Sequence, residues 1–215
     1  GLVRSHFPQC GGIGCFARVT DVAAKGDDEL AALASAGFDG LTLGIETADD
    51  EALAFMGKGY AARDIVEQCR RLDAAGIRYA FFYLAGVSGA GRGIEGARAT
   101  AEACNQAHPW LIGVNMLTVY ATSALAREIA AGRWQEAGEV EKYEEVRELA
   151  ARLDIPVELA LLGASNPVMI QGRLPEQRAD VIANRPVFLK SLSPGTYRLR
   201  LVESPKLADG TTFVL

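Results

Sequence analysis

Apolar runs of strand length recur along this chain, and each is followed by a stretch whose apolar residues return at helical spacing. This alternation limits the fold more than any single residue does. A strand, a helix and a second strand in succession lead to parallel pairing, with the helix as the crossover. The strand-like segments are residues 12–19, 40–46, 77–84, 111–119 and 156–162, and helical patterns cover 27–36, 49–56, 61–75, 93–108 and 139–153. Gly76 stands where a glycine closes a helix. The expected class is α/β, with parallel strands buried on both faces. Right-handed crossovers would arrange them as a partial (βα) barrel or as an open doubly wound sheet, and periodicity does not choose between these. Residues 184–215 differ in character. There Pro186, Pro194, Pro205 and the Asp209–Gly210 pair interrupt short β-prone runs, which predicts an arm of turns and short strands with a hairpin signal at Asp209–Gly210. The expected division is therefore residues 1–183 and 184–215.

Composition excludes several functions. Charged residues make up 23% of the 215 residues and the net charge is −5, which argues against a nucleic-acid partner. No apolar run reaches membrane-spanning length and nothing at the start reads as a secretory signal, so the cytoplasm is the default expectation. Cys10 and Cys15 are separated by Gly-Gly-Ile-Gly, a spacing that matches neither a zinc knuckle nor an iron–sulfur run. Cys69 shares a helix face with Ile65 and Leu72, and Cys104 with Ala97 and Ala101, which predicts two core thiols. With His6 and His108 as the only histidines, no metal site made by this chain is expected.

Three segments could carry chemistry. The first is LTLGIETADD (41–50), running on through Met56-Gly-Lys-Gly59. An apolar strand stops at Glu46, and Thr47, Asp49 and Asp50 then offer side-chain oxygens to the first free N–H groups of a helix. A lone carboxylate at a strand end must be solvated, paired or bound to a ligand. Taken alone, Glu46 reads equally as a structural carboxylate and as a ligand contact. The second segment, LAGVSGAGRG (84–93), joins a strand to a helix. Such a glycine-rich turn can present N–H groups to an anion, or can simply be a flexible connection. The third, NMLTVYATS (115–123), ends a strand and carries Asn115, Thr118 and Tyr120.

In combination these strings resemble a known family. GIETADD with the following Leu53, Met56, Lys58 and Gly59 is similar to the G-I-E-S-D-x-x-L-x-x-M-x-K-G segment of radical S-adenosylmethionine (radical SAM) enzymes. The likeness is strongest to Fe–S oxidoreductases related to the oxygen-independent coproporphyrinogen oxidases. NMLTVYATS resembles the family's M-T-L-T-P-Y-P-G-T-P-L strand, with Val119 and Ala121 in place of two prolines. Gly163 through Pro175 is similar to N-H-A-S-N-x-x-P-L-K-G-x-L-P, with Leu162 and Gly163 where Asn-His is usual. Ile13 to Asp21 resembles R-I-G-C-Y-A-R-A-T-D-I. The likeness runs from about Arg4 to Ala183.

The resemblance implies a partial TIM-barrel-like (βα) barrel that binds S-adenosylmethionine at its strand ends. It implies contacts from Arg18, Gly44, Glu46, Thr47, Gly86, Asn115, Thr118 and Tyr120, and it names no catalytic residue. It also implies a [4Fe–4S] cluster, yet the family's Cys-x-x-x-Cys-x-x-Cys loop does not occur in this chain. The expectation is a C-terminal portion of a barrel, or a lineage without the cluster, acting on a small-molecule or unknown substrate. Loss of the first strands would leave an open sheet edge beside residues 12–19, through which copies could associate or which residues 184–215 could cover. The competing expectations are a nucleotide- or phosphate-binding module built on Gly86–Gly93, and a non-catalytic scaffold.

Overall fold

The computed structural model describes residues 2–163, 166 and 169–183. The expected arm at 184–215 and its hairpin signal lie outside the described residues. The strands are β1 (Ile13–Ala17), β2 (Phe38–Glu46), β3 (Arg78–Ala85), β4 (Leu111–Met116), β5 (Val157–Leu161) and β6 (Ile170–Leu174). They form one sheet in chain order, with β1 to β5 parallel and β6 antiparallel to β5. The helices are α1 (Leu2–His6), α2 (Val19–Ala23), α3 (Asp27–Ser35), α4 (Asp50–Phe55), α5 (Ala62–Ala75), α6 (Gly93–Cys104), α7 (Ala124–Ala130), α8 (Glu139–Arg152) and α9 (Arg178–Ile182). The longer ones pack side by side in the same sequence, α3 on α5, α5 on α6 and α6 on α8, and the short α9 follows on α8. A sheet in sequential order with one ordered helical layer is an unrolled part of a (βα) barrel.

The strands show which face is covered. Leu43, Ile45, Tyr79, Phe81, Tyr83, Ile112, Val114, Met116, Leu159 and Leu161 are buried in the core shared with the helices. The residues that alternate with them on β2 to β4, namely Thr42, Gly44, Phe82, Leu84, Gly113 and Asn115, are only half-buried. Phe16 on β1 is 76% exposed. The expectation of a sheet buried on both faces is corrected here, because among the described residues the helices cover one face only. The apolar runs are continuous for a different reason. On the open face, Phe82 and Leu84 are apolar and Gly44 and Gly113 carry no side chain, so the runs stay largely apolar without a second helical layer.

Helix ends follow the local chemistry. Asp49 caps α4, its carboxylate accepting from the N–H groups of Glu51 (3.0 Å) and Ala52 (3.4 Å). α5 ends at Gly76, which is left-handed at φ 73°, and the Ile77 N–H returns to the Leu72 carbonyl at 3.0 Å. Cys69 and Cys104 lie in the core as expected, and burial pushes both thiols well above their ordinary pKa.

Other boundaries shifted for physical reasons. β1 stops at Ala17 because the Arg18 N–H is taken by the Asp21 carboxylate (2.8 Å), which starts α2. β4 stops at Met116 because its neighbour β3 turns away at Gly86, which has φ 92°. Within residues 163–175, marked in the sequence by a family motif and by no strand signal, Ile170–Leu174 form β6. Gly172 is required in that strand, since a Cβ there would lie 2.5 Å from Val181 on α9.

The left-handed cap gives a direct test of α5. Gly76→Ala places a Cβ in a conformation that L residues disfavour by about 1–2 kcal/mol. Thermal unfolding should then shift down by roughly 2–8 °C for a chain of this size.

Candidate functional site

The C-terminal ends of β1 to β4 surround a cleft of about 390 Å³ on the uncovered face. Phe16, Ala17, Arg18 and Asp21 form one wall, Gly44 and Glu46 the middle, and Phe82, Tyr83, Leu84 and Asn115 the other wall. Phe16 and Phe82 lie nearly parallel, 4° apart, with ring centroids at 6.0 Å. Gly113 lets the Phe82 ring lie flat against β4, since a Cβ there would meet the ring at 3.1 Å. A larger groove of about 570 Å³ lies between α5 and α6 on the helical side. The smaller cleft matches the chemistry better, because it gathers polar groups at parallel strand ends.

Glu46 stands at a slip in the β2–β3 register, between Gly44 paired with Phe82 and Glu46 paired with Tyr83. Its φ is 61°, the one positive value among the described non-glycine residues. Lys58 pairs with its Oε1 at 3.3 Å, with both side chains largely shielded from solvent. The turn that carries Lys58 depends on Gly57 and Gly59, both left-handed. Behind the strand end, the Tyr60 hydroxyl donates to the carbonyls of Gly44 (3.2 Å) and Ile45 (3.1 Å). Burial and the nearby Glu46 charge both push the Tyr60 pKa above its ordinary value.

Arg18 shares the cleft with Glu46 but does not pair with it. Its guanidinium holds Asp21 at 2.8 Å, and those bonds keep the Asp21 carboxyl below its usual range. Both groups are exposed, so a ligand could recruit Arg18 at little cost.

The structure brings together Arg18, Gly44, Glu46 and Asn115. The remaining residues named from the sequence stand elsewhere. Thr47 is fully buried, its hydroxyl 3.3 Å from that of Thr100 on α6 and accepting from the Asp49 N–H at 3.1 Å. It secures the start of α4 rather than lining the cleft. Thr118 and Tyr120 follow β4 as exposed residues, Tyr120 at 72%. Asn166 is buried and spans the end of β4, accepting from the Met116 N–H (2.9 Å) and donating to the Val114 carbonyl (2.7 Å). That bond pair serves β4 beyond the point where β5 pairs with it.

Gly86 and its loop require a correction to the anion-cradle reading. A Cβ at Gly86 would lie 2.8 Å from Lys142 on α8, so the glycine permits close packing there. The Gly86 N–H donates to the Glu145 carboxylate at 2.9 Å, and the Gly91 N–H donates to Glu141. The Ala90 N–H is taken by the Gln135 carbonyl at 2.9 Å. Carboxylates of the chain's own α8 thus occupy the positions that an external phosphate would need.

Sequence reading missed this buried pair. Lys142 and Glu145 are 2% and 0% exposed. Lys142 Nζ meets the Leu117 carbonyl (3.0 Å) and Glu136 (2.9 Å), while Glu145 accepts from the Tyr83 hydroxyl. Their signal was present in the spacing, because both fall on the stripe of Val146, Leu149 and Leu153. Phe16 and Phe82 were legible by the same parity, as residues facing away from Phe81 and Tyr83.

Among the described residues no group of three or more His, Cys, Asp and Glu side chains could hold a metal ion. Cys69 and Cys104 are buried, Cys15 is exposed, and the Cys10 thiol donates to the Gly12 carbonyl at 2.9 Å. These thiols do not fit the three-thiolate set of a [4Fe–4S] cluster. No described helix is long and apolar enough to cross a membrane.

No protein-family model and no curated protein matches the sequence. Solved structures do. Elp3 from the archaeon Methanocaldococcus infernus, with an N-terminal deletion of residues 1–46, superposes with a TM-score of 0.58 at 16% identity. The match covers 70% of this chain and 35% of that one, so the chain spans about a third of Elp3. The two share a fold. The radical S-adenosylmethionine methyltransferase TsrM from Kitasatospora setae, with cobalamin and a [4Fe–4S] cluster bound, aligns at 21% identity and a TM-score of 0.45. That match covers 54% of this chain and 21% of TsrM.

Glu145 gives the site's support a pH signature. Burial raises its pKa from 4.5 to about 7, against the lowering effect of the Tyr83 and Gly86 hydrogen bonds and of Lys142, while the Glu141 charge adds to the rise. Between these values the folded chain keeps a proton that the unfolded chain has lost. The contribution of Glu145 to stability is therefore fully present below pH about 4.5 and is lost as pH rises to about 7. The midpoint of thermal unfolding should fall across that window, and Glu145→Gln should flatten the slope. An equal slope in the variant would assign the pH dependence elsewhere.

Proposed function

We propose that this chain is the cofactor-positioning part of a radical SAM enzyme, with the cleft at the ends of β1 to β4 holding S-adenosylmethionine. The observation that carries the reading is convergence. Arg18, Gly44, Glu46 and Asn115 come from three separate motif-bearing segments and line one cleft. The cleft also suits the ligand's chemistry. Glu46 and the Asn115 amide offer hydrogen-bonding groups for hydroxyl or ammonium groups, and Phe16 and Phe82 offer flat apolar surface beside them. The motifs point further, to an Fe–S oxidoreductase of the coproporphyrinogen oxidase type.

In such enzymes a [4Fe–4S] cluster would supply the electron for radical chemistry on S-adenosylmethionine. The thiols of this chain do not fit that cluster, so its residues are assigned to binding and orientation alone. Glu46 and Asn115 fix the ligand at the strand ends, Lys58 balances the Glu46 charge, and Arg18 is available to a carboxylate. The outer edge of β1 is where a further strand, or a second copy, would add.

The rival reading, a phosphate-binding module at Gly86–Gly93, is disfavoured by the engagement of its N–H groups with Glu145, Glu141 and the Gln135 carbonyl. Titrating S-adenosylmethionine into isotope-labelled protein, followed by amide chemical shifts, separates the two. The expected shifts cluster at Arg18, Gly44, Glu46 and Asn115, and Glu46→Ala should weaken binding about tenfold, a loss near 1.4 kcal/mol. Inorganic phosphate or ATP moving the amides of residues 86–92 would favour the module instead. No shift at the cleft with S-adenosylmethionine would overturn the proposal.

A further inference from the structure

Resting on the reading of the β2 end as a ligand-binding edge, we propose that the Tyr60 hydroxyl is a positioning group that holds Glu46 in its left-handed conformation and so directs its carboxylate into the cleft. Three features of the backbone meet at this point. The register with β3 slips by one residue between Gly44 and Glu46, leaving Ile45 as the extra residue of a bulge. The Thr47 N–H donates to the Ile45 carbonyl at 2.8 Å, enclosing Glu46 in a three-residue turn. Glu46 itself sits at φ 61°, a conformation that an L side chain keeps only where its surroundings impose it.

Tyr60 supplies that imposition. Its hydroxyl lies 3.2 Å from the Gly44 carbonyl and 3.1 Å from the Ile45 carbonyl, so one O–H is shared between the two peptides that precede the strained residue. The ring packs against the core. It does not line the cleft. Tyr60 therefore acts from behind the strand, through the backbone, and touches no ligand. Two residues earlier, Lys58 meets the Glu46 carboxylate at 3.3 Å from the same turn. One short segment thus sets both ends of Glu46, the backbone through Tyr60 and the carboxylate through Lys58. A merely structural tyrosine would stabilise the chain independently of which residue stands at position 46. A positioning tyrosine would not.

The test is a double-mutant cycle on the full chain. Tyr60→Phe removes only the hydroxyl, and Glu46→Gly installs a residue that adopts positive φ without support. Tyr60→Phe should lower the midpoint of thermal unfolding by roughly 2–6 °C in the wild-type background, and by less than half as much in Glu46→Gly. In a second cycle, Tyr60→Phe should weaken S-adenosylmethionine binding about five- to tenfold when Glu46 is present, and should leave it unchanged in a Glu46→Ala background. Equal effects of Tyr60→Phe in both backgrounds of either cycle, or no thermal effect of its own, would overturn the assignment. If the wild-type chain binds no S-adenosylmethionine, the functional reading fails, and the thermal cycle alone decides the role of Tyr60.

Discussion

Parallel pairing of β1 to β5 in chain order is the constraint on which the other features depend. Parallel neighbours cannot be joined by a tight turn, so each junction spends a helix on the crossover. When the strand order never reverses, successive crossovers of one hand lay those helices on one face. The opposite face then carries no helix, and all the strand C-termini share one edge. That edge is where carboxylates, amides and glycines can stand without being sealed in the core. Position along the strand, more than residue type, separates Glu46 from the many other carboxylates of the chain.

Such a sheet needs its helical layer fixed to the strand ends, and here α8 does this with buried titratable groups. Lys142 and Glu145 are enclosed, and each is satisfied by groups from other segments, the Leu117 carbonyl and Glu136 for one, Tyr83 and the Gly86 N–H for the other. A buried ion removed from its partners would be strongly destabilising, while a satisfied one adds little net stability. What these contacts supply is location. They tie α8 to the loops that follow β3 and β4, the two strands that form one wall of the cleft. The same carboxylates fill the glycine-rich turn from within, so an anion cradle in outline is an internal joint in practice.

Much of the fold was legible because it rests on local signals. Apolar periodicity found β1 to β5 and the helices α3, α4, α5, α6 and α8. The Thr47–Asp50 cluster located the start of α4, and Gly76 the end of α5. β6 was not legible, because its strand state is imposed by pairing with β5 and packing on Val181. The cleft was legible in part. Glu46, Gly44, Arg18 and Asn115 were each marked by a strand end. Thr47 was marked by the same motif, yet parity sends its side chain into the core toward Thr100. The pairings of Glu46 with Lys58 and of Arg18 with Asp21 depend on turn geometry, and spacing alone does not encode that.

The strain at Glu46 argues about its role in a way that neither motif nor exposure can. A glycine at this position would adopt positive φ at no steric cost, and an aspartate or asparagine would tolerate it better than glutamate does. A chain optimised for stability alone would place one of those residues at the bulge. Instead a long, charged side chain stands there, its backbone held by the Tyr60 hydroxyl and its carboxylate met by Lys58. The reach of glutamate is what the shorter residues lack, and the positive φ directs that reach. Keeping a strained conformation, with separate support for backbone and carboxylate, is the behaviour of a group whose direction matters more than its contribution to stability.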